Sequence, residues 1–172
     1  MIMSLYEQML LEVKKEFPNF EVIKKEDSKL MRILFEATLM RLWCPNFMLT
    51  YTTVFAGKAY MPEKFIGTLT GYEILRHERV HLRDAKKYPI IFELSYLLFL
   101  PTVFSMRAFW EFRAYCESLK AQNELYGYIS TRNLNFYIDQ FVGSSYFFMF
   151  PFKKTLRRKF LECIDREGLT LK

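Results

Sequence analysis

Histidine is almost missing from this chain, with two copies in 172 residues, so a site built from three imidazoles is excluded. Cysteine is nearly as scarce. Cys44, Cys116 and Cys163 are widely spaced, odd in number and without a CxxC pair. That pattern excludes a disulfide framework and a four-thiolate metal site, and it predicts reduced, mostly buried thiols. Glycine and proline occur six times each, too few for a many-turned all-β fold, so long helices are expected. No long uninterrupted apolar run exists either. The most apolar stretch, 90–104, carries Glu93 and Pro101 and predicts a buried helix rather than a membrane span, with peripheral membrane contact still allowed. The opening MIMSLYEQMLLEVKKEF lacks a basic region ahead of an apolar core, so a signal peptide is not expected and a cytoplasmic location is.

What is present is a hydrophobic fraction of 51%, a charged fraction of 26% and a high aromatic content of 18%. This is the composition of a globular protein, and the length suits one domain spanning 1–172. The net charge of +6 and pI near 9.2 raise the question of an anionic partner. Yet basic and acidic residues alternate along most of the chain. The one dense run, Lys153, Lys154, Arg157, Arg158 and Lys159, reads as the solvated face of a helix. No nucleic-acid partner is expected.

Apolar periodicity predicts an amphipathic helix over 4–16, with Leu5, Met9, Leu10 and Val13 on one side. A short strand follows at 20–23, then a helix over 30–41 capped by Asp27 or Ser28. The segment 47–54 is rich in β-branched and aromatic residues and predicts a strand. Ala56-Gly57-Lys58 supplies a turn or bulge, and 59–62 predicts a second strand. The expected sheet is small and antiparallel. From Gly71 onward helices are expected over 72–87, 90–100, 104–126, 131–142 and 153–167. The fold class is α+β, helix first, sheet next, then helices.

Both histidines fall within five residues, His77-Glu78-Arg79-Val80-His81, inside the helix predicted for 72–87. Side chains four apart stand on one helix face, so both imidazoles can reach one metal ion. Glu78 projects beside that position, where it can accept a proton from water. Two neutral imidazoles and a carboxylate form a donor set suited to one zinc ion. A surface helix carrying the same residues by coincidence is the competing account, and the use of the chain's entire histidine complement weighs against it.

The third ligand must then be a carboxylate, a cysteine or nothing. Asp84, Glu93, Glu111, Glu117 and Glu124 are the downstream acidic candidates. Asp84 is one turn beyond His81 and suits a supporting role, or an arginine pairing, or a plain surface charge. Glu93 follows the Pro89 turn too soon for an easy return. Glu111 and Glu117 differ by about 120° around their helix, so only one can face a metal. Small Ala114 and the flanking Trp110 and Tyr115 favour Glu111, with a buried pairing to Arg107 or Arg113 as the alternative role for that carboxylate.

His77-Glu78-Arg79-Val80-His81, followed thirty residues later by Glu111-Phe112-Arg113-Ala114, resembles the gluzincins, zinc metallopeptidases with HExxH on one helix and an ExxA glutamate on a second. The resemblance covers about 47–120 and implies a zincin-like fold. It implies peptide-bond hydrolysis, one zinc ion held by His77, His81 and Glu111, and Glu78 as general base. It likens 51–65 to the family's edge strand and implies that the 56–62 strand aligns a peptide or protein substrate by strand addition. Two positions depart from the family. Tyr115 stands where many members have an aspartate, and no histidine remains to steady an oxyanion. Tyr115 is the candidate for that task, with Arg107, Tyr126, Tyr128 and Tyr137 as others. A catalytically silent zincin-like scaffold or protein-interaction module is the alternative function.

Overall fold

The computed structural model describes residues 3–37, 45–92, 106–143 and 148–172. Elements are numbered here in chain order. They are helices α1 (Leu5–Glu16), α2 (Lys29–Ala37), α3 (Phe47–Thr50), α4 (Leu69–Lys87), α5 (Met106–Tyr126), α6 (Thr131–Val142) and α7 (Lys153–Arg166). The strands are β1 (Glu21–Lys24), β2 (Thr53–Phe55) and β3 (Lys58–Met61). The chain divides into two compact units, Met1–Arg79 and Val80–Lys172, with the division inside α4.

In the first unit, α1 starts with reciprocal capping. Ser4 Oγ accepts from the Glu7 N–H at 3.2 Å, and the Glu7 carboxylate accepts from the Ser4 N–H at 2.8 Å. Tyr6, Met9 and Val13 are its buried stripe, spaced three and four apart. The sheet is mixed, in the order β1-β3-β2. β1 runs parallel to β3, and β2 runs antiparallel to it. A two-residue hairpin joins β2 to β3, with Ala56 at φ 50° and Gly57 at φ 75°. Positive φ at both turn positions matches the right-handed twist of the flanking strands.

Three expectations are corrected here. The sheet is not wholly antiparallel, because β1 enters it beside β3 in the same direction. Residues 47–50 form the single turn α3 instead of strand. The cause lies at Lys25, a fully buried ammonium that donates to Phe47 O at 3.0 Å, Tyr51 O at 2.6 Å and Thr53 Oγ1 at 3.0 Å. Carbonyls near a helix end lack intrahelical partners, and here they solvate the buried cation. Finally, the 58–61 strand is central and not an edge. Both of its sides are occupied, so a peptide cannot be added to it, and the open edges belong to β1 and β2.

Ser28, not Asp27, caps α2, its hydroxyl accepting from the Met31 N–H at 3.2 Å. Helix α4 opens at Thr68, whose hydroxyl accepts from the Gly71 N–H at 3.0 Å. Gly71 has a steric reason to be glycine. A Cβ there would stand 2.1 Å from Phe65 O and 3.0 Å from the Tyr6 ring.

In the second unit, α5 ends at Gly127, whose φ of 74° and N–H to Asn123 O bond at 2.8 Å close the helix in the left-handed conformation. Ser130 caps α6 by accepting from the Asn133 N–H at 3.1 Å. α5, α6 and α7 share a core built on Leu119, Ile129, Leu134, Ile138, Phe141 and Phe160. Burying each such side chain contributes about 1.5–3 kcal/mol. The last residues return to this core, with Ile129 and Leu171 forming a parallel bridge. The basic run on α7 is partnered at the surface: Lys153 pairs with Asp139 at 2.7 Å, and Arg157 donates to Asn135 at 2.8 Å. Most of the helix expected over 90–100 lies outside the described residues. Among the described residues no helix is long and apolar enough to cross a membrane.

Candidate metal centre

Helix α4 has little apolar surface, yet it buries residues at a helical period: Tyr72, Leu75, Glu78, His81, Leu82 and Asp84. Three of these are ionisable. Glu78 is 8% exposed, His81 6% and Asp84 2%. Burying such groups is costly unless each is paired, hydrogen-bonded or ligated. A helix that carries three of them inward is therefore organised around polar contacts, as functional sites often are.

Helix α5 supplies the complement. Glu111 is 4% exposed, next to the buried Trp110 and one turn before the fully buried Ala114. Glu111 Oε2 stands 3.7 Å from His81 Nε2. Each of His77, His81 and Glu111 offers one ligand atom, and these atoms lie within 4.8 Å of one another. It is the only such group among the described residues. Tetrahedral zinc with bonds near 2.0–2.1 Å needs donors about 3.3–3.4 Å apart. The His81–Glu111 spacing is within a few tenths of an ångström of that, and the His77 donor lies within 4.8 Å of both. In donor type and in spacing, then, the three residues form a group that could hold a metal ion.

The surroundings hold these side chains in place. Asp84, one turn beyond His81, accepts from Arg113 Nη1 at 2.5 Å, so the arginine two residues after Glu111 is tied to the histidine helix. This is the arginine pairing foreseen for Asp84, and it engages Arg113 through Asp84. The His81 ring lies 5.9 Å from the Phe92 ring, which lies 5.9 Å from Trp110. Tyr88 approaches Trp110 at 5.6 Å, so aromatic rings line one side of the imidazole. An apolar wall of this kind limits solvent access and lowers the local dielectric.

The other candidates are placed differently. Tyr115 is buried in the core of the second unit, its ring 4.7 Å from Tyr137 and 5.6 Å from Phe141. Tyr137 in turn accepts from Gln122 Nε2 at 2.6 Å. Glu117 is half-buried and outside the ligand group, Glu124 is exposed, and Glu93 lies outside the described residues. The aromatic wall at Phe92 and the choice of Arg113 as the partner of Asp84 are absent from the sequence reading. Their only signals were an apolar run and an i+7 acid, neither specific by itself.

Comparison of the chain with protein families, with curated protein sequences and with solved structures finds no match. The functional reading therefore rests on the residues themselves.

Proposed function

We propose that this protein is a zinc-dependent, zincin-like metallopeptidase, with His77, His81 and Glu111 as metal ligands and Glu78 as general base. The observation that carries the reading is the convergence of those three donors within 4.8 Å, on the motif that uses both histidines of the chain. Bound there, zinc supplies Lewis-acid polarisation of a scissile carbonyl and makes water a competent nucleophile at neutral pH.

The chain's own residues do the rest. Glu78, adjacent to His77 and buried, accepts the proton of the attacking water and returns it to the departing amine. His77 and His81 hold their positions one helical turn apart, and the Asp84–Arg113 bond keeps Glu111 in reach of them. The Phe92 and Trp110 rings exclude bulk water from one side of the site. The substrate is a peptide or protein. The free thiols of Cys116 and Cys163 support a reducing, cytoplasmic setting.

A second reading, a zinc-binding scaffold without turnover, draws on Tyr115. Its ring is packed against Tyr137 and Phe141, which favours a core role over oxyanion stabilisation. The deciding experiment measures metal content by mass spectrometry in the wild type, His77→Ala, Glu111→Ala and Glu117→Ala, followed by a peptide-cleavage screen with Glu78→Gln. Near-stoichiometric zinc that is lost with His77 and Glu111 but kept with Glu117, and cleavage abolished in Glu78→Gln with zinc retained, is the expected result. Zinc without any cleavage selects the scaffold. No zinc uptake by the wild type overturns both.

A further inference from the structure

Away from the metal centre, two of the three cysteines meet. Cys116 on α5 and Cys163 on α7 are both free, buried and part of one core cluster. Contacts on either side fix the register of their helices. One turn before Cys116, the Phe112 ring lies 4.9 Å from the Phe160 ring. One turn after it, Lys120 Nζ lies 2.7 Å from Glu167 Oε2, at the end of α7. The two helices therefore run parallel with 112 beside 160 and 120 beside 167. Positions 116 and 163 face each other between them, both inside the same buried core cluster.

We propose that Cys116 and Cys163 form an oxidant-responsive dithiol site that closes to a reversible disulfide joining α5 to α7.

The environment assigns the roles. The neighbouring Cys116 thiol pulls the Cys163 thiol below its ordinary range, helped by the Arg166 and Lys120 charges and opposed by burial and by Glu167. Arg166 Nη2 lies 3.9 Å from Cys163 Sγ. Cys116 is pushed the other way, by the Cys163 thiol and by burial. Cys163 is thus the nucleophile and Cys116 the resolving thiol. Cys116 is 7% exposed and Cys163 2%, so the oxidant proposed is a small hydroperoxide rather than a bulky disulfide such as oxidised glutathione. The Cys163 thiolate attacks the peroxide oxygen, breaking the O–O bond and leaving a sulfenic acid and hydroxide. The Cys116 sulfur then displaces the sulfenic oxygen, and its proton leaves with that oxygen as water. Two thiols lose two electrons and two protons, and hydrogen peroxide is reduced to two waters. Because the closed helices must draw together to disulfide distance, the bond is expected to be reducible by dithiothreitol.

The test uses the full chain, reduced and then exposed to hydrogen peroxide under native conditions, with alkylation in denaturant, intact mass and peptide mapping. Expected are the loss of two hydrogen atoms, a Cys116–Cys163 cross-linked peptide, an upward shift in Tm and full reversal by dithiothreitol. Cys44→Ser behaves as the wild type. Cys116→Ser stops at a sulfenic acid on Cys163 that dimedone traps, and folding of each variant is checked by circular dichroism. Three alkylatable thiols after peroxide, a cross-link through Cys44, or a stable Cys163 sulfenic acid in the wild type overturns the proposal. Should Cys116→Ser fail to fold, the wild-type and Cys44→Ser peptide maps decide by themselves.

Discussion

The Lys25 ammonium is enclosed by three oxygen acceptors and sits 3.4 Å from the centroid of the Phe47 ring. Two backbone carbonyls, a hydroxyl and a ring face therefore help to hold the lysine. Lys25→Met keeps the stem's volume but strands the buried carbonyls. A loss on the order of 3 kcal/mol is expected in urea unfolding, and a loss below about 0.5 kcal/mol contradicts this account. Gly71→Ala tests close approach in the same unit. Its Cβ would meet backbone oxygen, which cannot swing aside as a side-chain tip can, so a cost of about 1–3 kcal/mol is expected from thermal melts. At the metal centre the individual residues were legible because HExxH states a spacing, and helical spacing is a local property. Glu111 was legible only by elimination and by its Ala114 spacing.

Between helices, contacts set what a motif can do. The Asp84–Arg113 bond ties α4 to α5 next to His81 and Glu111. Asp84→Asn weakens that tie without removing a ligand. Zinc affinity is expected to fall roughly 10–100-fold by competition with a chelating dye, against near-complete loss in His77→Ala. An unchanged affinity shows that Glu111 holds its position without help. The Lys120–Glu167 pair at the other end of α5 predicts a pH dependence. The lysine's hydrogen bond holds the Glu167 carboxyl below the usual carboxylate range. The same bond raises Lys120. A lowered carboxyl adds stability that is present above the unfolded value, near pH 4.3, and is lost as pH falls through the folded one. The pair is partly exposed, so its worth at neutral pH is below about 1 kcal/mol. Glu167→Gln should therefore lower Tm slightly at pH 7 and leave it unchanged at pH 3. An equal effect at both values assigns the role of Glu167 to packing instead.

For the molecule as a whole, metal removal is the informative perturbation. A ligand that binds the folded chain and not the unfolded one stabilises it by mass action, about 2.7 kcal/mol at a hundredfold excess over Kd. The zinc-loaded protein should lose Tm on chelation and regain it on zinc addition. Glu78→Gln should show the same shift and His77→Ala none. A Tm indifferent to chelator and zinc in the wild type removes the metal from the account. The net charge of +6 does not redirect this reading, because Lys153, Arg157 and Arg158 are partnered at the surface of α7.

By itself the sequence determined the elements whose signals are local. The long helices and their ends at Lys87, Gly127 and Arg166 follow from periodicity, from proline after a tyrosine and from a glycine that takes positive φ. The Ser4–Glu7 capping box was equally readable, as Ser-x-x-Glu ahead of an apolar stripe, and went unread. The α+β class and the HExxH face were determined in the same way. Only the tertiary structure decided that 47–50 coils into a turn, because β propensity there yields to a buried lysine from 22 residues earlier that needs its carbonyls. It also decided that β3 is central, since strand order depends on which distant segment pairs with it. The same holds for Asp84 with Arg113 and Cys116 with Cys163. Helix periodicity tells which side a residue occupies, and only packing tells what stands opposite.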